Sequence, residues 1–142
     1  MFKKILVALE NTKADDSLVP QIEKLASLLH SELLLVHVAD GWVARNFNQL
    51  KLAESEEMKS DRQYLEGTAG RLRAAGLKVS FHLALGEPAT EILKTAKAEQ
   101  CDLIAMTTHG HRLIGDIIHG STIENVRHKA MVPLLVVRAQ HK

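Results

Sequence analysis

Between Met106 and Asn125 the chain gathers the residues best suited to hold an anion: Thr107, His109, Gly110, His111, Arg112, Gly120, Ser121 and Thr122. The apolar run Leu103–Met106 feeds this stretch, and Ser121-Thr122-Ile123-Glu124 has capping-box spacing, which predicts a helix start there. Backbone N–H groups at a helix start lack partners and carry the positive end of the helix dipole, so they attract anions. Gly110 and Gly120 would let backbone approach an anion with no Cβ in the way. The chemistry expected is a phosphate cradle, although glycine-bearing strand-to-helix loops also arise for steric reasons alone. Arg112 and Lys13 are candidates to fork onto phosphate oxygens, set against the solvated basic side chain that loops commonly carry.

Other chemistry finds less support. His109, His111 and His119 share one loop with His128 soon after, but no cysteine or carboxylate completes a zinc or nickel spacing. No metal site is expected. Ser121 has no base and orienting acid beside it in sequence, so no catalytic residue is assigned. Glu10 and His109 could serve a hydrolytic water, but nothing in the sequence demands one. Trp42, the single tryptophan, either folds over the site or covers the long second helix. The lone Cys101 excludes an internal disulfide and reads as a small, partly buried residue of a reducing cytoplasm.

The elements that must position these residues alternate along the chain. Ile5–Leu9 and Leu33–Ala39 are near-continuous apolar runs, the pattern of strands covered on both faces. Leu18, Ile22, Leu25 and Leu29 recur at helical spacing after Asp15, Asp16 and Ser17 as candidate caps. Asp40–Gln49 has no period. A long polar helix follows, with Met58, Leu65 and Leu72 on one stripe and Gly76 at its end. Val79, Phe81 and Leu83 alternate with polar residues, which predicts a half-exposed edge strand. Gly86-Glu87-Pro88 turns into a helix carrying Ile92, Leu93 and Ala96, and Pro133 admits a last strand, Leu134–Val137.

Five strands alternating with helices imply a doubly wound α/β fold, with a parallel sheet clad by helices on both faces. Ligands of such sheets bind beyond the strand carboxyl ends, where the strand order reverses. That rule singles out Glu10-Asn11-Thr12, Val38-Ala39-Asp40 and the loop after Met106. At 142 residues, with no linker, repeat or low-complexity tract, residues 1–142 read as one domain. A net charge of +1, from 18 basic and 17 acidic side chains, gives no footprint for nucleic acid. The opening apolar run stops at Glu10-Asn11, too soon for a signal sequence or membrane span, so a cytoplasmic location and no membrane partner are expected.

Taken together, these segments resemble the universal stress proteins. That family's nucleotide-binding branch carries glycine, two residues, glycine, nine residues and then Gly-Ser or Gly-Thr after the fourth strand. Gly110, nine residues and Gly120-Ser121 match the second half, and Thr107 stands where the first glycine belongs. Lys4-Ile5-Leu6-Val7-Ala8-Leu9-Glu10 resembles the first strand, with Glu10 in place of the usual aspartate. Leu35-Val36-His37-Val38, Gly86-Glu87-Pro88 and Val132-Pro133-Leu134-Leu135-Val136-Val137 resemble further family segments.

The resemblance implies an adenine nucleotide alpha-hydrolase-like fold and a site for ATP or AMP, with Mg2+ as a candidate companion. Val38 would meet adenine through its backbone, Glu10 and the Thr107 backbone would lie near the ribose, and Gly110, Gly120, Ser121 and Thr122 would hold phosphates. Ala8, Leu9, Met106, His109, His111 and Arg112 complete the expected set. Glu10, one methylene longer than aspartate, must fold back or sit off position. Thr107 is tolerated if the ligand uses only backbone there; at a positive φ it would be strained by about 1–3 kcal/mol. The implied role is a stress-response regulator acting through partner proteins. The rivals are a dimeric interaction protein without nucleotide and a slow adenine-nucleotide hydrolase. The apolar strand Leu134–Val137, expected at a sheet edge, calls for a second copy to cover it, and the resemblance also points to a homodimer.

Overall fold

In the computed structural model, which describes residues 1–39, 56–108 and 115–140, strands and helices alternate through the chain. They are β1 (Lys4–Ala8), α1 (Asp15–Leu29), β2 (Glu32–Ala39), α2 (Glu56–Ala74), β3 (Val79–Leu85), α3 (Pro88–Ala98), β4 (Leu103–Thr108), α4 (Gly115–Lys129) and β5 (Leu134–Arg138). The five strands form one sheet in the order β3-β2-β1-β4-β5, and every neighbouring pair is parallel. β1 lies at the centre, with Val7 opposite Leu35 on one side and Ala105 on the other. Leaving β1 the chain adds strands in one direction, then returns past β1 to add β4 and β5. The order therefore reverses between β1 and β4, the place where such sheets open a crevice.

The period-two alternation of the strands divides the core. Ile5, Val7, Leu33, Leu35 and Ala105 pack against Leu18, Ile22 and Ala26 of α1 and Leu65, Ala69 and Leu72 of α2. Leu6, Leu34, Val36, Ile104 and Met106 pack on the other face against Ala89, Ile92 and Ala96 of α3 and Val126 of α4. Sheet residues are buried on both sides, which is why β1 and β2 read as continuous apolar runs. Burying each such leucine or isoleucine contributes about 1.5–3 kcal/mol. Gly76, just past the end of α2, has φ +95, a conformation that side chains rarely adopt, and so ends the helix as expected.

Three local expectations are corrected. The helix expected to open at Ser121 begins instead at Gly115, so the Ser121–Glu124 spacing lies inside α4 and is not its cap. Asp15 is the first residue of α1, whose cap position is Ala14 with no side-chain cap bond; the Asp15 carboxylate turns backward onto the preceding loop. β4 continues two residues beyond Met106, with Thr107 paired to Val137 and Thr108 to Arg138. The edge placement of β3 and β5 is as expected.

Candidate functional site

The carboxyl ends of β1, β2 and β4 open into a cavity of about 430 Å³ at the reversal of strand order. Its floor is apolar: Ala8, Val36, Val38, Ala39 and Met106 from the sheet, Pro88 and Ile92 from α3, and Ile123 from α4. Its rim is polar: Glu10, Asn11, His37 and Thr107 from the strand ends, Thr122 from α4, and Glu57, Ser60 and Asp61 from α2. An apolar slot edged by a few convergent polar groups is the ordinary form of a small-molecule site.

The turn after β1 is fastened from several directions. The Glu10 and Asn11 N–H groups donate to the two oxygens of Asp15, at 2.9 and 2.8 Å, and the Tyr64 hydroxyl donates to the same carboxylate at 2.6 Å. Burial pushes the Asp15 carboxyl above its ordinary range, opposed by these three donors. Burial, then the bond to Asp15, pushes the Tyr64 phenol up in turn. Asn11 has φ +60, a left-handed conformation that asparagine tolerates, and its side-chain amide donates to Asp61 Oδ1 at 2.8 Å. The other Asp61 oxygen lies 3.4 Å from His37 Nε2, while His37 Nδ1 donates to the Leu9 carbonyl at 2.8 Å. A carbonyl only accepts, so this contact places a hydrogen on Nδ1.

Glu10 itself folds back onto β4. Its Oε2 accepts from the Thr107 hydroxyl at 2.5 Å. The two positions where the chain departs from the family pattern are thus bonded to each other. Thr107 is not among the residues with positive φ, and it sits in the β4–β5 ladder, so the strain considered for it is absent.

The cavity brings together Ala8, Leu9, Glu10, Val38, Met106, Thr107 and Thr122 of the expected site. Gly120 and Ser121 lie inside α4, more than a turn past its start, where backbone N–H groups belong to the helix ladder; the unpaired amides are those of the first turn, from Gly115. His109, Gly110, His111 and Arg112, with Trp42, fall outside the described residues. Lys13 is exposed and does not line the cavity, and His128 is exposed on α4 beside Glu124. Among the described residues no three His, Cys, Asp or Glu side chains cluster as a metal site.

His37, Asp61 and Tyr64 were not singled out from sequence, and Asp15 was read only as a candidate helix cap. One signal was available: Asp61 falls between Met58 and Leu65 on the apolar stripe of α2 and is buried. A carboxylate on a buried stripe needs partners, and here they are Asn11 and His37.

Comparison with known proteins settles the family. The sequence model of the universal stress protein family matches residues 1–138. This chain belongs to that family. The universal stress protein MJ0577 of Methanocaldococcus jannaschii is 29% identical, over 99% of this chain and 98% of its own length. The solved structure of MJ0577 superposes with a TM-score of 0.82, covering 100% of this chain and 99% of that one. A universal stress protein of Archaeoglobus fulgidus solved in complex with dAMP has a TM-score of 0.70 at 19% identity, covering 96% and 98% of the two chains. Another universal stress protein, solved in complex with cAMP, has a TM-score of 0.70 at 16% identity, covering 98% of each. No helix among the described residues is long and apolar enough to cross a membrane.

Proposed function

We propose that this universal stress protein binds an adenine nucleotide in the cavity at the strand ends and acts as a regulator through partner proteins rather than by turnover. The observation that carries the reading is the cavity: it lies at the reversal of strand order, with an apolar floor for a base and polar groups on one rim. The dAMP and cAMP complexes of related folds support an adenine nucleotide as occupant.

In this reading adenine rests on Val36, Val38 and Ile92, with the Val38 backbone at its polar edge. The phosphates run toward the first turn of α4, where unpaired amides attract anions. Gly110, Gly120, Ser121 and Thr122 remain the positions that the family pattern assigns to them. The described lining holds no lysine or arginine, so Arg112 is the basic group the reading assigns to phosphate. Mg2+ remains a candidate companion of the phosphates, to which the reading assigns no protein ligand. The reading extends to a single domain over residues 1–142, a cytoplasmic location, and a homodimer through β5, whose Val136 is 39% exposed at the sheet edge.

The test is to denature freshly purified protein and identify any small molecule released. An adenine nucleotide in near-stoichiometric amount is expected. Protein that releases none, and takes up none when incubated with ATP or AMP, would reject this function in favour of a nucleotide-free interaction protein.

A further inference from the structure

β3 forms one edge of the sheet, and the direction of its backbone groups follows from its bonds. In a parallel ladder successive residues of a strand turn their N–H and C=O groups to opposite sides. The Lys78 carbonyl accepts from the Leu33 N–H at 2.9 Å, and the Gly86 N–H donates to the Ala39 carbonyl at 3.1 Å. The even-numbered residues of β3 therefore face β2, and Val79, Phe81, Leu83 and Leu85 face outward. Arg73 of α2 marks the same direction, since its Nε and Nη2 both donate to the Val79 carbonyl, at 2.9 and 2.7 Å. The outward N–H and C=O groups of Phe81 and Leu83 have no partner among the described residues.

Exposed edges are ordinarily blunted by proline, charge or a bulge, because they template another strand. Val79–Leu85 holds no proline, lysine, arginine, aspartate or glutamate, and its pairing with β2 runs in unbroken register. The two faces of the strand differ. Phe81 and Leu83 lie half-buried against the core beside α2, while Ser80 and His82 are exposed on the other face. The amino end of the edge is basic. The Arg73 guanidinium has N–H groups beyond the two on Val79. The Lys78 side chain is 84% exposed and shares the Glu32 carboxylate with Lys4.

Resting on the reading that the protein acts through partners and pairs through β5, we propose that the β3 edge receives an extended segment of a partner protein as a sixth strand. Main-chain bonds to Phe81 and Leu83 hold it, as in other strand additions. Its side chains are apolar where they lie beside Phe81 and Leu83 and polar beside Ser80 and His82, and an acidic residue at one end meets Arg73 and Lys78. A second copy at β3, added to one at β5, would propagate into an open-ended array. A heterologous segment is the occupant that keeps the assembly closed.

The test selects a phage library of random dodecapeptides on the immobilised parent protein, then synthesises the enriched peptides for titration and amide hydrogen exchange. Peptides alternating apolar and polar residues, with an acidic residue near one end, are expected, and they should slow exchange at the Phe81 and Leu83 amides. Leu83→Pro removes an outward donor and leaves the bonds to β2, so it should weaken these peptides at least about tenfold. Arg73→Glu should weaken them too, and selection on that variant should lose the preference for acid. The exchange map of the parent decides the location whether or not either variant folds. No enriched peptide, protection confined to another surface, or a Leu83→Pro affinity within about threefold of the parent overturns the proposal. Protection of the same amides by raised protein concentration alone overturns it in favour of a second copy. ATP titrated into the same preparation separates the readings: strand addition failing with nucleotide bound rejects this edge alone, and the reverse rejects nucleotide binding alone.

Discussion

Replacing Asp61 by alanine should loosen the turn that carries Glu10, at a cost that can be worked from its contacts. Asp61 is 5% exposed, accepts from the Asn11 amide at 2.8 Å and lies 3.4 Å from His37 Nε2. Removing the carboxylate orphans the Asn11 amide and, when His37 is protonated so that Nε2 also carries a hydrogen, that N–H as well. A buried polar group left without its partner costs about 1–3 kcal/mol. Asn11 and His37 are only half-buried and water can reach them, so the lower end of the range applies to each, about 2–3 kcal/mol in sum. For a chain of this size each kcal/mol shifts the melting midpoint by roughly 3 °C, so a fall of about 6–9 °C is expected by differential scanning calorimetry. Asp61→Asn, which keeps an acceptor for Asn11, should lose about half as much. Nucleotide affinity should fall in both, because Asn11, in its left-handed conformation, is part of the turn that aims Glu10. An Asp61→Ala midpoint within 2 °C of the parent would show that the Asn11 and His37 contacts do not brace the turn.

The remaining predictions concern assembly, the thiol and acid stability. Val136→Lys should turn a homodimer into a monomer of about 15.7 kDa by light scattering after size exclusion; a parent already monomeric at micromolar concentration would reject the β5 interface. Burial pushes the Cys101 thiol up to about 11, so the native thiol should label with a maleimide far more slowly than the denatured one, and equal rates would contradict its inertness. The Asp102 carboxyl feels burial, which raises its pKa, but the Lys3 and Lys4 N–H groups outweigh this and hold it below the ordinary value of 3.8. Its contribution is therefore present above about pH 4 and lost as pH falls through the lower folded value, so Asp102→Asn should flatten the acid side of the melting profile, and an unchanged profile would count against it.

The fold was legible because its signals are local and repeated. Both-face burial makes β1 and β2 continuous apolar runs, and the alternation of Val79, Phe81 and Leu83 announced the edge strand β3. Helix starts were less legible. Ser121 and Glu124 have capping-box spacing, yet α4 begins at Gly115, because the spacing occurs equally well inside a helix. The strand-end residues of the cavity could be read from the rule that ligands bind where strand order reverses. The bracing of Glu10 could not, since Asp15, Asp61, Tyr64 and His37 meet only after α1 and α2 fold onto one face of the sheet. Thr107 illustrates the limit most clearly. Alone it is a side chain in a glycine pattern; its hydrogen bond to Glu10 appears only when β1 and β4 lie side by side.

The central claim, an adenine nucleotide at the strand ends, is tested most directly by nuclear magnetic resonance of the labelled protein titrated with ATP. Amide signals of Ala8–Asn11, Val36–Ala39, Met106–Thr108, Thr122 and Ile123 should shift and saturate together, while those of Glu32 and Lys78, at the amino ends of the strands, stay still. Saturable shifts confined to another surface, or none at millimolar ATP, would contradict the account.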